Sequence, residues 1–284
     1  MTLIELTVVL LVLIGLAGLM IPYVSGFVSK THDSTGSFNS AALDSNIQRY
    51  QVEKGGFPSG LESLIEGSAS DGGVYNKMMS PGFYAATTVT MPKRMSLAMA
   101  GVKTVYGMDA AADNATFTST GSNAATPIVD GTVLATVAAL ATGNATPNNY
   151  AEPLSIEGHM AAAFERDITS FDSACYDYVV MGIGEKSALI GRTMNTAPVH
   201  FASQGAMGAA LKYNRFVAVF QVDKTNAPST ASTPGGVAHA TETCSTSTEP
   251  AKFIGSAMSM ADMSGHLWGT AHSLAHTWEN NAAN

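Results

Sequence analysis

Residues 1–30 read MTLIELTVVLLVLIGLAGLMIPYVSGFVSK, and this stretch decides the architecture of the chain. Between residues 6 and 29 there is no Asp, Glu, Lys, Arg or His. As an α-helix rising about 1.5 Å per residue, this run would be roughly 36 Å long, enough to cross a bilayer core about 30 Å thick. Glu5 precedes it. An acid there is either favoured by the positive end of the helix dipole or neutralised by a positive charge from another molecule.

A cleaved secretory signal fits this segment poorly. Such a signal carries basic residues before its apolar stretch and a small-residue cleavage site after it. Here the first basic residue is Lys30, on the far side of the apolar run. We therefore expect the segment to be retained in the mature protein.

The opening MTLIEL, followed by an apolar run and Pro22, resembles the start of mature type IV pilins and of type II secretion pseudopilins. The resemblance implies that a prepilin peptidase removes a leader before Met1 and that the new amine is methylated. It implies that Glu5 neutralises the amine of Met1 in a neighbouring subunit. It also implies that subunits wait in the inner membrane, and that pilus assembly machinery then builds them into an extracellular helical filament of identical subunits.

Gly15, Gly18 and Pro22 fall close together in the apolar run. Each glycine costs roughly 1 kcal/mol relative to alanine in a helix interior, and proline removes an amide donor. We predict that the helix is weakened over residues 15–22 and melts there in the assembled filament. Close packing of neighbouring helices at these small residues is the alternative.

After Lys30 the chain becomes polar, and Leu43, Ile47 and Tyr50 follow a helical spacing of i, i+4 and i+7. The glycine pair at 55–56 predicts the helix end. We predict an α+β fold in which a long helix, from about residue 2 to 54, packs its second half on an antiparallel β-sheet. Three parts follow from this prediction: an apolar membrane or filament-core helix (1–29), an amphipathic helix half (30–56) and a globular α+β head (57–284).

Within the head, short β-branched and aromatic runs at 84–91, 177–184 and 215–223 predict strands. The spacing of apolar residues over 159–171 predicts a helix. A Ser59 cap followed by apolar residues predicts a short helix ending near residue 66. This turn and short helix also resemble those of the pilin family.

Cys175 and Cys244 are the two cysteines, and neither belongs to a CxxC pair, which argues against a zinc or redox motif. In an exported chain they most simply form one disulfide, with two unpaired buried thiols as the alternative. A bridge closing so long a loop would stabilise the fold by about 4 kcal/mol.

Other chemistry is weakly indicated. The sequence contains no GxSxG, HExxH, Walker or GxGxxG motif, so we expect no enzyme activity and no cofactor. The formal charge of −8 disfavours nucleic-acid binding unless other subunits or a local patch, such as Lys93-Arg94 and Lys103, provide positive charge. A histidine cluster near the C-terminus lacks a clear full ligand set, so we expect no metal: it comprises His266, His272 and His276. Asn114 and Asn144 fit the N-glycosylation acceptor pattern.

The resemblance therefore implies the major structural subunit of a type IV pilus, whose exterior serves adhesion, motility or DNA uptake. A type II secretion pseudopilin and a minor pilin or tip adhesin are the related alternatives. A monomeric membrane-anchored enzyme is the alternative from another class.

Overall fold

The computed structural model describes residues 3–66, 73–74, 84–108, 125–139, 155–164, 166–198, 216–224, 244–245 and 247–258. In the first helix, side chains are described for 4–16 and 38–54. The elements within these residues are α1 (Leu3–Lys54), β1 (Leu61–Glu66), β2 (Gly73–Val74), β3 (Tyr84–Thr88), α2 (Met91–Met99), β4 (Thr104–Met108), β5 (Thr126–Pro127), β6 (Val133–Val137), α3 (Ile156–Phe164), a 3-10 turn (Ile168–Ser170), β7 (Tyr176–Gly182), β8 (Phe216–Asp223) and β9 (Lys252–Met258).

The described strands join in one mixed sheet that branches at β7. On one edge of β7, β8 pairs along the whole strand and β9 continues the antiparallel order. The other edge of β7 is divided between two strands, because β6 pairs at 179–180 and β1 pairs at Gly182. The β6 branch ends at β3, whereas β1 continues through a parallel pair with β4 to the short edge strand β5.

Both faces of this sheet are covered, which explains why β8 is buried almost along its whole length. Successive strand residues point to opposite faces. Phe220 packs with Leu43 and Ile47 of α1 in one hydrophobic cluster, which also takes in α2. Val219 belongs to the other cluster, with Met160 of α3. The head therefore has helices on both sides of its central strands.

The predicted fold class is wrong in its architecture. The sheet is mixed rather than antiparallel, because β1 and β4 run parallel with Leu61 opposite Val105. The described contacts of α1 with the head come from its final part, around Leu43 and Ile47, rather than from a full half of a long helix. The helix shows no break in the segment predicted to be weak, because α1 is continuous across residues 15–22.

The short helix predicted after Ser59 is also wrong, because residues 61–66 form strand β1. Its pairing with β4 shifts register between Glu62 and Glu66, and Leu64 lies within this bulge at φ 58°. The bulge places Leu64 and Ile65 in the same cluster while Leu61 lies in the other. In a helix, Leu61, Leu64 and Ile65 would share one face, whereas the bulge lets only the adjacent Leu64 and Ile65 face one side of the strand.

The three predicted strands are confirmed as β3, β7 and β8, with each end at most three residues from its prediction. The helix predicted over 159–171 is shorter and begins earlier, as α3 over Ile156–Phe164. A separate 3-10 turn follows, in which the Asp167 carboxylate accepts a hydrogen bond from the Thr169 amide at 2.9 Å. This local cap starts a new turn in place of a continued α-helix.

Candidate assembly segment

The N-terminal part of α1, residues 4–16, carries apolar side chains on every side. Val8 to Ile14 are consecutive large apolar residues, and at 3.6 residues per turn they cover the full circumference of the helix. The most exposed of these side chains, Leu11, has 74% of its surface accessible. Ten large apolar side chains are more than half exposed in this segment: Ile4, Leu6, Val8, Val9, Leu10, Leu11, Val12, Leu13, Ile14 and Leu16.

The polar groups of this segment add little to its surface. The Thr7 hydroxyl donates to the carbonyl oxygen of Ile4 at 2.9 Å, which satisfies its proton within the helix. At Gly15 a methyl group would meet no atom of the described residues within 4 Å, so no contact within that part of the chain requires glycine there. The segment is therefore an apolar rod with a small gap at Gly15, and Glu5 in its first turn is its one ionisable residue.

The predicted assembly residues are described to different extents in the structure. Glu5 lies in the first turn of α1, and Met1 lies outside the described residues. Gly18 and Pro22 lie in the helical backbone of α1, where side chains are not described. The Met1–Glu5 charge pair and melting in an assembled filament both stay predictions.

At its other end, α1 is fastened to β9 by buried polar contacts. The Ser40 hydroxyl donates to the carbonyl oxygen of Ser256 at 2.8 Å, and the Ser256 hydroxyl donates back to the Ser40 carbonyl at 3.1 Å. The Asp44 carboxylate accepts the Ser256 backbone N–H at 2.7 Å. Burial raises the pKa of Asp44 despite these hydrogen bonds. We call Ser40, Asp44 and Ser256 the α1–β9 clasp.

The clasp was not predicted from the sequence. Ser40 and Asp44 are four residues apart, so both lie on one side of α1, next to Leu43 and Ile47 of the buried stripe. That spacing could have indicated that both residues face the head, but small polar residues in a helix are usually solvent-facing. Their partner, Ser256, is more than 200 residues away in the sequence, and no local pattern indicates it.

The predicted disulfide between Cys175 and Cys244 is confirmed, with an S–S distance of 2.04 Å and Cα atoms 5.2 Å apart. Cys175 lies directly before β7, and its carbonyl accepts the Lys224 backbone N–H at 2.9 Å, directly after β8. The bridge therefore connects the β7–β8 end of the sheet to the chain that leads into β9.

A buried carboxylate supports the turn that carries this disulfide. Glu157 in α3 accepts the backbone N–H of Ser173 at 2.8 Å. The Ser173 carbonyl in turn accepts a hydrogen bond from the Lys224 ammonium at 3.1 Å. Burial on its own would raise the pKa of Glu157, but hydrogen bonds, chiefly from Ser173, hold it below its ordinary value.

Two cations of the basic patch considered for nucleic acid, Lys93 and Arg94, are paired with carboxylates in the structure. Lys93 is almost completely buried, where it forms an ion pair with Asp177 and donates to the Thr87 hydroxyl at 2.7 Å. The Arg94 guanidinium pairs with Asp130 at 2.7 Å. Each cation therefore faces a carboxylate of the same head, and the pair does not present free positive charge.

The remaining candidate residues fall outside the described residues: the glycosylation candidates Asn114 and Asn144, and the histidines His266, His272 and His276. Within the described part of the chain, no group of three or more His, Cys, Asp or Glu side chains is placed to hold a metal ion. Among the same described residues, no helix is both long enough and apolar enough to cross a membrane.

Comparison of the chain with protein-family profiles, curated proteins and solved structures gives no match.

Proposed function

We propose that this chain is the structural subunit of a type IV pilus, a helical filament whose core is a bundle of the N-terminal segments of α1. The single observation that carries the proposal is the rod of apolar side chains at 4–16, exposed on all sides. A helix that is apolar around its whole circumference requires surroundings that cover every face. A bundle of identical helices supplies such surroundings, and so does a bilayer before assembly.

The gain from bundling is large enough to hold a filament together. Fully burying a large apolar side chain contributes about 1.5–3 kcal/mol. Ten such side chains, each already partly covered by its own helix, together contribute roughly 10 kcal/mol per subunit at about 1 kcal/mol each. Losses of side-chain freedom reduce this figure. The remainder is repeated at every subunit along the filament.

Bundled apolar helices can slide past one another, so the filament needs a contact that fixes their axial positions. An acid within an apolar bundle is costly unless an opposite charge compensates it. The amine of Met1 in the neighbouring subunit is the cation that the pilin resemblance provides for Glu5. In this proposal the subunit is held in the inner membrane before assembly and is extracellular afterwards, where a disulfide-bonded head suits an oxidising environment.

The charge pair is tested by changing Glu5→Gln, which keeps the shape of the side chain and removes its charge. Glu53→Gln is the matched control, because Glu53 is an exposed acid on the same helix, paired with Arg49. We expect Glu5→Gln to leave the amount of membrane-held subunit unchanged and to remove most filaments from the sheared cell-surface fraction, as counted by electron microscopy. Glu53→Gln should assemble normally. Normal filaments from Glu5→Gln would refute the charge pair.

The bundle itself is tested at Leu11, which is changed to Ser and compared with Val52→Ser on the same helix. Both side chains are highly exposed in the single subunit, at 74% and 85%, so neither change should unfold the head. We expect Leu11→Ser to impair assembly because Leu11 becomes buried in the filament core, while Val52→Ser assembles. Equal assembly by both variants would contradict a core built from the N-terminal segment.

A further inference from the structure

Helix α2 turns three methionine side chains away from the sheet. Met91, Met95 and Met99 are 53%, 41% and 53% exposed, and they follow one another at four-residue spacing. Residues four apart on a helix lie on one face, with Cβ atoms about 5–6 Å apart. The outer face of α2 is therefore a row of thioethers.

The opposite face of α2 holds this row in a fixed position. Leu97 is fully buried in the core cluster that includes Phe220. The Ser96 carbonyl accepts the backbone N–H of Ala251 at 2.9 Å, just before β9. Lys93 is held by its ion pair with Asp177 of β7. These contacts fix the rotation of α2 about its axis, so the methionines stay on the outside.

We infer that Met91, Met95 and Met99 form a binding site for the soft monovalent cation Cu(I). Thioether sulfur is a ligand that selects Cu(I), whereas carboxylate and carbonyl oxygen suit harder cations. Long side chains in a helix favour rotamers that point back over the preceding turn, which brings the sulfur of Met95 within reach of Met91 and that of Met99 within reach of Met95. The three rotatable bonds of methionine let two neighbouring sulfurs converge on one ion.

Met95 is the central ligand because it belongs to both neighbouring pairs, one with Met91 and one with Met99. The two pairs share this sulfur, so the row holds one ion at a time. Changing either outer methionine leaves one complete pair, whereas changing Met95 leaves none. The site therefore has a characteristic order of mutational effects.

The main competing role for exposed methionines is docking of another protein. Methionine and leucine exchange in apolar contacts at small energetic change, so a docking face tolerates Met→Leu. A cation site does not, because leucine has no sulfur. The Met→Leu substitution therefore separates cation binding from docking while keeping the size and the helix preference of the residue.

The test uses the full chain in detergent with its disulfide intact, labelled with ¹³C at the methionine methyl groups. Ag(I) in chloride-free buffer serves as the probe, since it is a soft monovalent cation that resists oxidation. Both cysteines of the chain are in the disulfide, so no thiol competes for it. We expect the methyl resonances of Met91, Met95 and Met99, assigned from the single variants, to shift on addition of Ag(I).

Affinity for Ag(I) at these resonances should fall most in Met95→Leu, by at least about tenfold, because loss of even an outer-shell partner costs about 10–100-fold. Met91→Leu and Met99→Leu should each show a smaller loss. Met194→Leu is the control, at a partly buried methionine that packs on the core. Unshifted resonances, or an affinity unchanged in Met95→Leu, would overturn the site. Self-association through α2 that survives all three leucine variants would assign the row to docking instead.

Discussion

The two ends of α1 contain similar apolar residues in very different surroundings. At 4–16 every side of the helix is apolar and exposed, whereas near the head Leu43 and Ile47 lie in the core and only other positions, such as Ser45 and Val52, are exposed. The same residue type therefore has opposite roles at the two ends. Near the head it stabilises a single subunit, and at the N-terminus it leaves a surface to be covered by something else.

This contrast gives a rule for separating folding from assembly by mutation. Changes at the head end should alter the unfolding of one subunit, and changes at the N-terminal end should leave that unfolding unaltered. Variants of the head should therefore lower the free energy of unfolding by amounts that depend on the contact removed.

The largest effect is expected from the disulfide. The double variant Cys175→Ser with Cys244→Ser should lower the free energy of unfolding of the head by about 4 kcal/mol, because the long loop between them is no longer closed in the unfolded chain. Denaturant unfolding followed by near-ultraviolet circular dichroism measures this. Wild-type protein in reductant should match the variant, and identical unfolding curves with and without reductant would contradict the prediction.

The next largest change in the free energy of unfolding is expected at Ile47, which can be compared with Ile14 on the same helix. Ile47 is fully buried and Ile14 is 64% exposed. Ile47→Ala should lower the free energy of unfolding by about 3 kcal/mol, since it removes buried methyl groups and leaves a cavity. Ile14→Ala should change it by less than about 0.5 kcal/mol. If the two variants unfold alike, the two ends of α1 do not differ as described.

A smaller effect is expected at the α1–β9 clasp. Ser40→Ala removes a buried hydroxyl that bonds the Ser256 carbonyl, and should lower the free energy of unfolding by about 1 kcal/mol. Ser45→Ala is the control, because the exposed Ser45 hydroxyl bonds the Ala41 carbonyl within the same helix. Thermal unfolding of the two variants should differ, with Ser45→Ala close to wild type. Equal melting temperatures would show that the clasp adds nothing to head stability.

The smallest effect is a pH dependence from His159 in α3. Burial lowers the pKa of His159, although its Nδ1 lies 3.0 Å from the carbonyl oxygen of Ala138. In the unfolded state the histidine has its ordinary pKa of about 6.5, so near this pH the unfolded chain binds more protons than the folded one. The free energy of unfolding therefore falls as the pH drops through this value. From pH 7 to pH 6 we expect a loss of less than about 1 kcal/mol. His159→Gln should unfold with a flatter pH profile, and a profile identical to wild type would exclude His159 as the cause.

The sequence predicted those features that depend on neighbouring residues. The β-branched and aromatic runs of β3, β7 and β8 are local signals, and they were found. The disulfide followed from there being only two cysteines. The failure at 61–66 has a physical cause: a short apolar run has no unique period, and pairing with β4 and β7 outweighed helix preference.

In the candidate site, too, the features that depend on neighbouring residues can be predicted from the sequence, and those that join distant residues cannot. The apolar segment at 4–16 can be found from the sequence alone, because its property is composition. The clasp and the Lys93–Asp177 pair cannot, because each joins residues far apart in the chain. Lys93 looked like a surface cation in the sequence, but in the structure it is buried and paired with Asp177 of β7.

The position of β1 also orders events during synthesis. This strand is the first of the head to leave the ribosome, yet it lies between β4 and β7, and β7 begins at Tyr176. The short antiparallel strand β2 follows β1 directly, but at about 5–20 residues per second β7 emerges only several seconds or more after β1. The apolar segment at 4–16 is already complete throughout that interval, so the nascent chain carries an exposed apolar helix before the sheet of its head can close.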